Sequence, residues 1–156
     1  MKIQTMSLHD LECIKPILIE QFDDFWNFNI LEQNFNNINS IYFVAKSEEG
    51  DSFGEKNNEP DTILGFVGLL DTPIDIEVSN IVVRKDYRNL GIGQQLLNQT
   101  FEYASSRGKN LITLEVNENN HKAHSLYLKN GFIEIRRRKN YYNNIEDAIF
   151  MQKELR

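Results

Sequence analysis

Between Asn80 and Gly93 the chain reads NIVVRKDYRNLGIG. An apolar run of strand character passes into a polar turn carrying basic residues, and the turn reaches two glycines just where a helical pattern begins. Beyond them Ile92, Leu96, Phe101 and Ala104 recur at near-helical spacing, with Gln94, Gln95, Asn98 and Glu102 turned outward. The helix therefore has a face to pack, and the turn at its head has a firm base. A helix start offers backbone N–H groups with no intrahelical acceptor and the positive end of the dipole. With no Cβ on Gly91 or Gly93 to hold an anion away, the stretch predicts a rigid phosphate cradle.

What the motif lacks narrows the ligand. A dinucleotide fingerprint needs a third small residue where Leu96 stands, and a nucleoside-triphosphate loop needs Lys then Ser or Thr where Gln94 and Gln95 follow. What remains is Arg88-Asn89-Leu90-Gly91-Ile92-Gly93, an R-x-x-G-x-G. Taken alone, these six residues also admit a purely structural reading, an arginine and two glycines that end a strand and open a helix.

The first half of the chain reads as strand, helices, strands. Lys2 to Met6 alternates, and Ser7-Leu8-His9-Asp10 has capping-box spacing with Asp in place of Glu. Leu8, Leu11, Ile14, Leu18 and Phe22 give the helix its apolar stripe, and Pro16, lacking a backbone donor, is expected to kink or shorten it. Asp23 to Asn27 forms an acidic and aromatic turn before a second helical stretch, Ile30 to Asn37. Ile41 to Ala45 is a strand, and Ser47 to Asp61 (SEEGDSFGEKNNEPD) is an acidic segment expected to be a mobile surface loop, either a simple hairpin connection or a lure for a basic substrate. Thr62 to Leu70 and Ile74 to Val83 are strands that should pair antiparallel across Asp71-Thr72-Pro73.

The second half completes a strand–helix–strand unit. Arg107-Gly108-Lys109-Asn110 ends the long helix with cations and a glycine cap, and Leu111 to Val116 is a nearly continuous apolar strand. Asn117 to Asn120 supplies cap chemistry for a short helix through Leu128, closed by Asn130-Gly131. Phe132 to Tyr142 and Ala148 to Leu155 form a final pair of strands around the hairpin-like Asn143-Asn144. No repeat or linker interrupts this order.

Composition sets outer limits. At 156 residues the chain has room for one domain, 1–156, with a substantial core. The N-terminus MKIQTMSLHD has no apolar signal region, and the single Cys13 forms no internal disulfide, which together point to the reducing cytoplasm. Cys13 is read as packing within the first helix. No run approaches the ~20 apolar residues of a membrane span. The net charge of −6 argues against general nucleic-acid binding and suits a cationic substrate. His121 and His124 lack ligand spacing and are read as exposed polar residues, so no metal is expected. The run Arg136 to Lys139 divides its charges between two sheet faces and is read as a solvated strand.

The R-x-x-G-x-G resembles the acetyl-CoA pyrophosphate loop of the GCN5-related N-acetyltransferase (GNAT) superfamily, and further signatures follow in that family's order: Leu114-Glu115-Val116, Asn120, Leu126-Tyr127 and Asn130-Gly131-Phe132. Arg137-Arg138-Lys139-Asn140-Tyr141-Tyr142 and Glu146-Asp147-Ala148 resemble its ribosomal-protein alanine N-acetyltransferase branch. The resemblance covers roughly residues 75 to 155; the first 70 residues agree only in element order, and the acidic loop looks longer than the family usually carries. It implies a single α/β (α+β) domain, a twisted, mixed and mostly antiparallel sheet of about seven strands with about four helices. It also implies an acetyl-CoA-dependent enzyme that acts on a primary amine, foremost a protein N-terminal α-amine, as a monomer or homodimer and with neither nucleic acid nor membrane as partner. A small-molecule or polyamine acetyltransferase and a non-catalytic acyl-CoA sensor are the competing readings.

Acetyl transfer from a thioester to an amine needs a bound donor, a neutral amine, a stabilised oxyanion and a proton for the departing thiolate. The resemblance assigns Arg88, Asn89, Leu90, Gly91, Ile92 and Gly93 to the pyrophosphate. The backbone of Ile81, Val82 and Val83 would pair with pantetheine like an added strand and aim an N–H at the acetyl oxygen. An α-amine of pKa about 7.7–8.0 gives up its proton to a carboxylate directly or through one water, and Glu115 is the candidate; its other reading is a solvent-facing strand residue. Tyr127, with a phenol pKa near about 10, is the general-acid candidate, and its ring can also anchor the short helix to the core. Asn120 either bonds pantetheine or caps the helix. Tyr141 and Tyr142 are placed near the acceptor, and strand alternation would point their rings opposite ways.

Overall fold

A computed structural model describes residues 1–22, 27–53, 56, 57, 59–142 and 146–155. Its elements are β1 (Lys2–Thr5), α1 (Leu8–Ile14), α2 (Leu18–Gln21), α3 (Phe28–Phe35), β2 (Ser40–Lys46), β3 (Ser52–Phe53), β4 (Lys56–Asn57), β5 (Ile63–Asp71), β6 (Ile76–Val83), α4 (Ile92–Ser106), β7 (Leu111–Asn117), α5 (His121–Lys129), β8 (Ile133–Tyr142) and β9 (Glu146–Glu154). Seven strands form one sheet in the order β1-β2-β5-β6-β7-β9-β8, and β3 with β4 make a separate ladder inside the expected acidic loop. The β6–β7 pair is parallel; β1–β2, β2–β5, β7–β9 and β8–β9 are antiparallel. This is the mixed, mostly antiparallel sheet that the family resemblance implies. The expected turn at Asp23 to Trp26 and the gap at Asn143-Asn144 lie outside the described residues.

Packing divides the chain into two compact units, Met1–Leu70 with Ser79–Thr100, and Asp71–Val78 with Phe101–Arg156. In the first, the predicted capping box is complete: Ser7 Oγ accepts from the Asp10 amide at 3.1 Å and Asp10 Oδ2 accepts from the Ser7 amide at 2.9 Å. Pro16 falls in a 3-10 turn, Lys15–Ile17, that separates α1 from α2, so the helix is interrupted where its donor is missing. α3 begins two residues ahead of the predicted Ile30, because Asn27 caps it by accepting from the Ile30 amide at 2.9 Å. Met6, Leu11, Ile14, Leu18, Phe22 and Leu31 pack with Tyr42, Val44, Phe66 and Val82. Ring pairs Phe22–Phe66 and Tyr42–Phe66 stand at 5.4 and 6.3 Å. A Cβ at Gly68 would collide with the Tyr42 ring and Asn80, so this crossing needs glycine.

Strands β5 and β6 run antiparallel as expected. Leu64 O accepts from the Arg84 amide, Gly65 faces Val82 and Gly68 faces Asn80, so one number falls as the other rises. The neck of the acidic loop is tied: buried Ser47 donates through Oγ to Glu59 O at 2.6 Å and accepts from the Thr62 amide at 3.0 Å.

The second unit is built on β7. Ile112, Leu114, Ile149, Met151 and Phe132 are buried, and the Phe132 ring meets Tyr127 at 5.6 Å and Phe101 at 6.3 Å. The close of α4 matches the predicted glycine cap: Gly108 has φ +69, its amide bonds Ser105 O at 3.0 Å and the Lys109 amide bonds Ala104 O at 2.9 Å. Arg107 and Lys109 then pair with Asp71 at 2.9 and 3.2 Å.

Candidate active site

In the first unit, β6 leads through a 3-10 turn, Lys85–Tyr87, into the Arg88–Gly93 loop. Tyr87 is buried and its amide bonds Arg84 O at 2.8 Å, which roots the turn, and Arg88 Nε donates back to Val83 O at 3.2 Å. Asn89 and Gly91 take the left-handed region at φ +64 and +83, and the chain then enters α4, whose first ladder bond runs from Gln95 N to Gly91 O at 3.1 Å. A Cβ at Gly91 would meet nothing within 4 Å, so the space over the loop is open. Ile92, Leu96 and Leu97 are buried beneath it. These residues fit a diphosphate: open space over Gly91, a helix start whose first amides have no acceptor within their own helix, and a packed base.

In the second unit, β6 and β7 pair in register only from Ile76–Ile112 to Val78–Leu114. Past Leu114, β7 continues to Asn117 on its β9 ladder alone among the described residues, and Glu115 lies in that stretch. Its half-buried carboxylate pairs with Arg138 Nη2 at 3.5 Å. Opposite Glu115 in register is Phe150, with the Arg136 guanidinium over its ring at 5.0 Å. Arg136 and Arg138 partner Phe150 and Ala148, whereas Arg137 partners Ile149 and pairs with Glu134 and Glu118, so the basic run is split between faces as expected. It is not merely solvated, however, because Arg138 reaches the candidate catalytic carboxylate.

The remaining predicted residues fall as follows. Tyr127 is buried in α5 with its ring in the core. Asn120 caps that helix, its side chain accepting from the Ala123 amide at 3.3 Å. The ladder is irregular between Arg138 and Tyr142, with Asn140 at φ +53, so simple alternation cannot be counted through to the tyrosines. Tyr141 is exposed, its ring under the Arg138 guanidinium at 5.1 Å; Tyr142 is described only by its backbone pairing with Glu146.

A family model described as "Acetyltransferase (GNAT) family" matches residues 7–132. The chain belongs to the GNAT family. It is an N-acetyltransferase with the GNAT fold, and acetyl-CoA is its acetyl donor. The GNAT chain is 25% identical over 150 residues to a putative ribosomal protein bS18-alanine N-acetyltransferase of Bacillus subtilis, covering 96% of this chain and 92% of that one. It is 31% identical over 121 residues to the ribosomal protein bS18-alanine N-acetyltransferase of Haemophilus influenzae, covering 76% and 82%. The crystal structure of the ribosomal-protein-S18-alanine N-acetyltransferase from Escherichia coli superposes with a TM-score of 0.82 at 25% identity, covering 99% of this chain and 93% of that one.

Sequence reasoning passed over two groups on the Glu115 face of the GNAT chain. Asp75 is buried, its Oδ2 accepting from Thr113 Oγ1 at 2.9 Å and its Oδ1 from the Thr72 hydroxyl. Glu77 stands opposite Thr113. The alternation of polar and apolar residues in Asp75-Ile76-Glu77-Val78 was the available signal, since it sends both carboxyls to one face. Among the described residues, no group of His, Cys, Asp and Glu is placed to hold a metal, and no helix is long and apolar enough to cross a membrane.

Proposed function

We propose that this enzyme, a single domain over 1–156 acting in the cytoplasm as a monomer or homodimer, transfers acetyl directly to a protein N-terminal α-amine of the ribosomal-protein type. The observation that carries the reading is the match, over nearly the whole chain, to relatives named for that reaction. Arg88, Asn89, Leu90, Gly91, Ile92 and Gly93 would hold the pyrophosphate, Ile81, Val82 and Val83 would pair with pantetheine, and Asn120 would bond pantetheine with whatever capacity its cap leaves. Glu115 serves as general base to the amine nitrogen and Tyr127 as general acid to the thiolate, while Tyr141 and Tyr142 border the acceptor. The reaction uses no metal, and neither nucleic acid nor membrane is a partner.

The acidic residues Asp75, Glu77 and Glu115 also suit a polyamine, which is the second reading. Turnover with acetyl-CoA on a ribosomal N-terminal peptide beginning with alanine is compared with turnover on spermidine. Preference for the peptide supports the first reading, and preference for spermidine replaces it with the second.

A further inference from the structure

A cavity of about 550 Å³ opens in the first unit, where α1 lies over the end of β2, the start of β5 and the exit of β6. That volume suits a small molecule. None of the residues Arg88 to Gly93 lines it, so it is separate from the coenzyme loop. Two carboxylates stand on its wall, and each already has a cation: Asp10 pairs with Lys46 at 2.6 Å and Asp61 with Lys2 at 2.7 Å.

Arg84, on the same wall, is different. Among the described residues no carboxylate pairs with it. Its Nη1 reaches Ile63 O only at 3.5 Å, its guanidinium lies 5.8 Å from the centre of the Tyr87 ring, and its Nε is enclosed with no acceptor. An enclosed N–H left unbonded destabilises the fold, yet the backbone keeps it there. The Arg84 amide donates to Leu64 O and its carbonyl accepts from the Tyr87 amide, both at 2.8 Å. The unanswered charge in the cavity is therefore positive, and it is held in place.

A guanidinium offers its Nε–H and one Nη as a fork matched to two oxygens of a carboxylate or phosphate. We propose that this cavity is a second ligand site of the enzyme, which takes a small oxyanion, carboxylate or phosphate, on the Arg84 guanidinium. Nothing in the site depends on which amine is acetylated. His9 and Cys13 stand on the same wall, the Cys13 Sγ 3.6 Å from His9 Nε2. The sequence reads Cys13 as packed within the first helix, but the thiol is exposed, and as the single cysteine it reports on this cavity alone.

The test titrates citrate and inorganic phosphate, separately and at fixed ionic strength, into enzyme saturated with acetyl-CoA, so that the diphosphate loop is already filled. Calorimetry reads binding, and intact mass follows the rate at which uncharged iodoacetamide alkylates Cys13. At least one anion should bind with a Kd on the order of 1 mM and slow alkylation several-fold, with the same midpoint in both readouts. Whichever does so shows whether the oxyanion is a carboxylate or a phosphate. Arg84→Gln should weaken that binding by on the order of 10- to 100-fold, as expected for a lost charge-assisted fork, and remove the protection of Cys13. Because Arg84 also braces the turn before the coenzyme loop, His9→Glu is the second variant. It changes an exposed position, sets a like charge on the wall and should weaken the same anion several-fold. Failure of both anions to protect Cys13 overturns the site. So does wild-type affinity in a folded Arg84→Gln or, if that variant does not fold, in His9→Glu.

Discussion

Two ion pairs, Asp10–Lys46 in the first compact unit and Glu115–Arg138 in the second, differ in burial. In the first unit one pair is structural: Asp10 and Lys46 form an ion pair at 2.6 Å with side chains 3% and 12% exposed, and the proposed pyrophosphate loop offers open backbone around Gly91. In the second unit Glu115 and Arg138 pair at 3.5 Å on a sheet face that the proposed acceptor chemistry would use. Removing Asp10 should therefore cost folding, and removing Glu115 should cost turnover.

The strongest challenge to that contrast is Asp10→Ala. It deletes half of the capping box and leaves the mostly covered Lys46 without that partner, an expected loss of about 3 kcal/mol in urea unfolding. A loss under ~1 kcal/mol would mean the pair is dispensable. Desolvation pushes the Asp10 carboxyl up, but Lys46 and the Ser7 hydrogen bonds outweigh it and hold the group below its ordinary value. A depressed carboxyl contributes stability above its unfolded pKa of about 3.9, and that contribution disappears as pH falls through the lower folded value. Asp10→Asn should accordingly flatten the acid limb of stability against pH.

Next in size is Gly91→Glu, expected to weaken acetyl-CoA by on the order of 100-fold in calorimetry, by placing a carboxylate against the diphosphate in a backbone region costly to non-glycine residues. Gly91→Ala separates the causes, since it keeps the strain and omits the charge. Tyr127→Phe should leave acetyl-CoA affinity and folding intact and lower kcat by about 10- to 100-fold, because the ring's packing on Phe132 survives and only the hydroxyl is lost. Unchanged kcat would remove the tyrosine from the mechanism. Smallest is the stability change in Arg138→Gln, within about 0.5 kcal/mol, because the pair with Glu115 is half-exposed. If that substitution unfolds the protein, charge in the second unit is structural after all.

The same contrast explains what could be read ahead of the structure. The cradle is contiguous, so its glycines, its arginine and the apolar periodicity under it stand together in the sequence, and the long helix ends on the glycine that was expected to end it. The Glu115 face is assembled from strands far apart in the chain. Register alone brings Arg138 to Glu115 and sets Glu77 beside Thr113, and register is decided by pairing and bulges that no local pattern states. Asn140 shows the limit: one residue in the left-handed region is enough to defeat a count of alternation toward Tyr141 and Tyr142. Lys46 was invisible for a related reason, since a lysine closing a strand gives no sign that a helix-capping aspartate will meet it.

The knot of hydrogen bonds around Ser47, Glu59 and Thr62 has a practical consequence. It clamps the stem where two central strands leave the body, and because the Met1 ammonium holds Glu48 and Asp51 at 3.1 and 2.6 Å, only what is spliced beyond Asp51, between positions 52 and 58, is separated from β2 and β5 by that clamp. That stem is where a peptide tag, a fluorophore or a loop borrowed from a relative can be installed with the least disturbance to the catalytic scaffold.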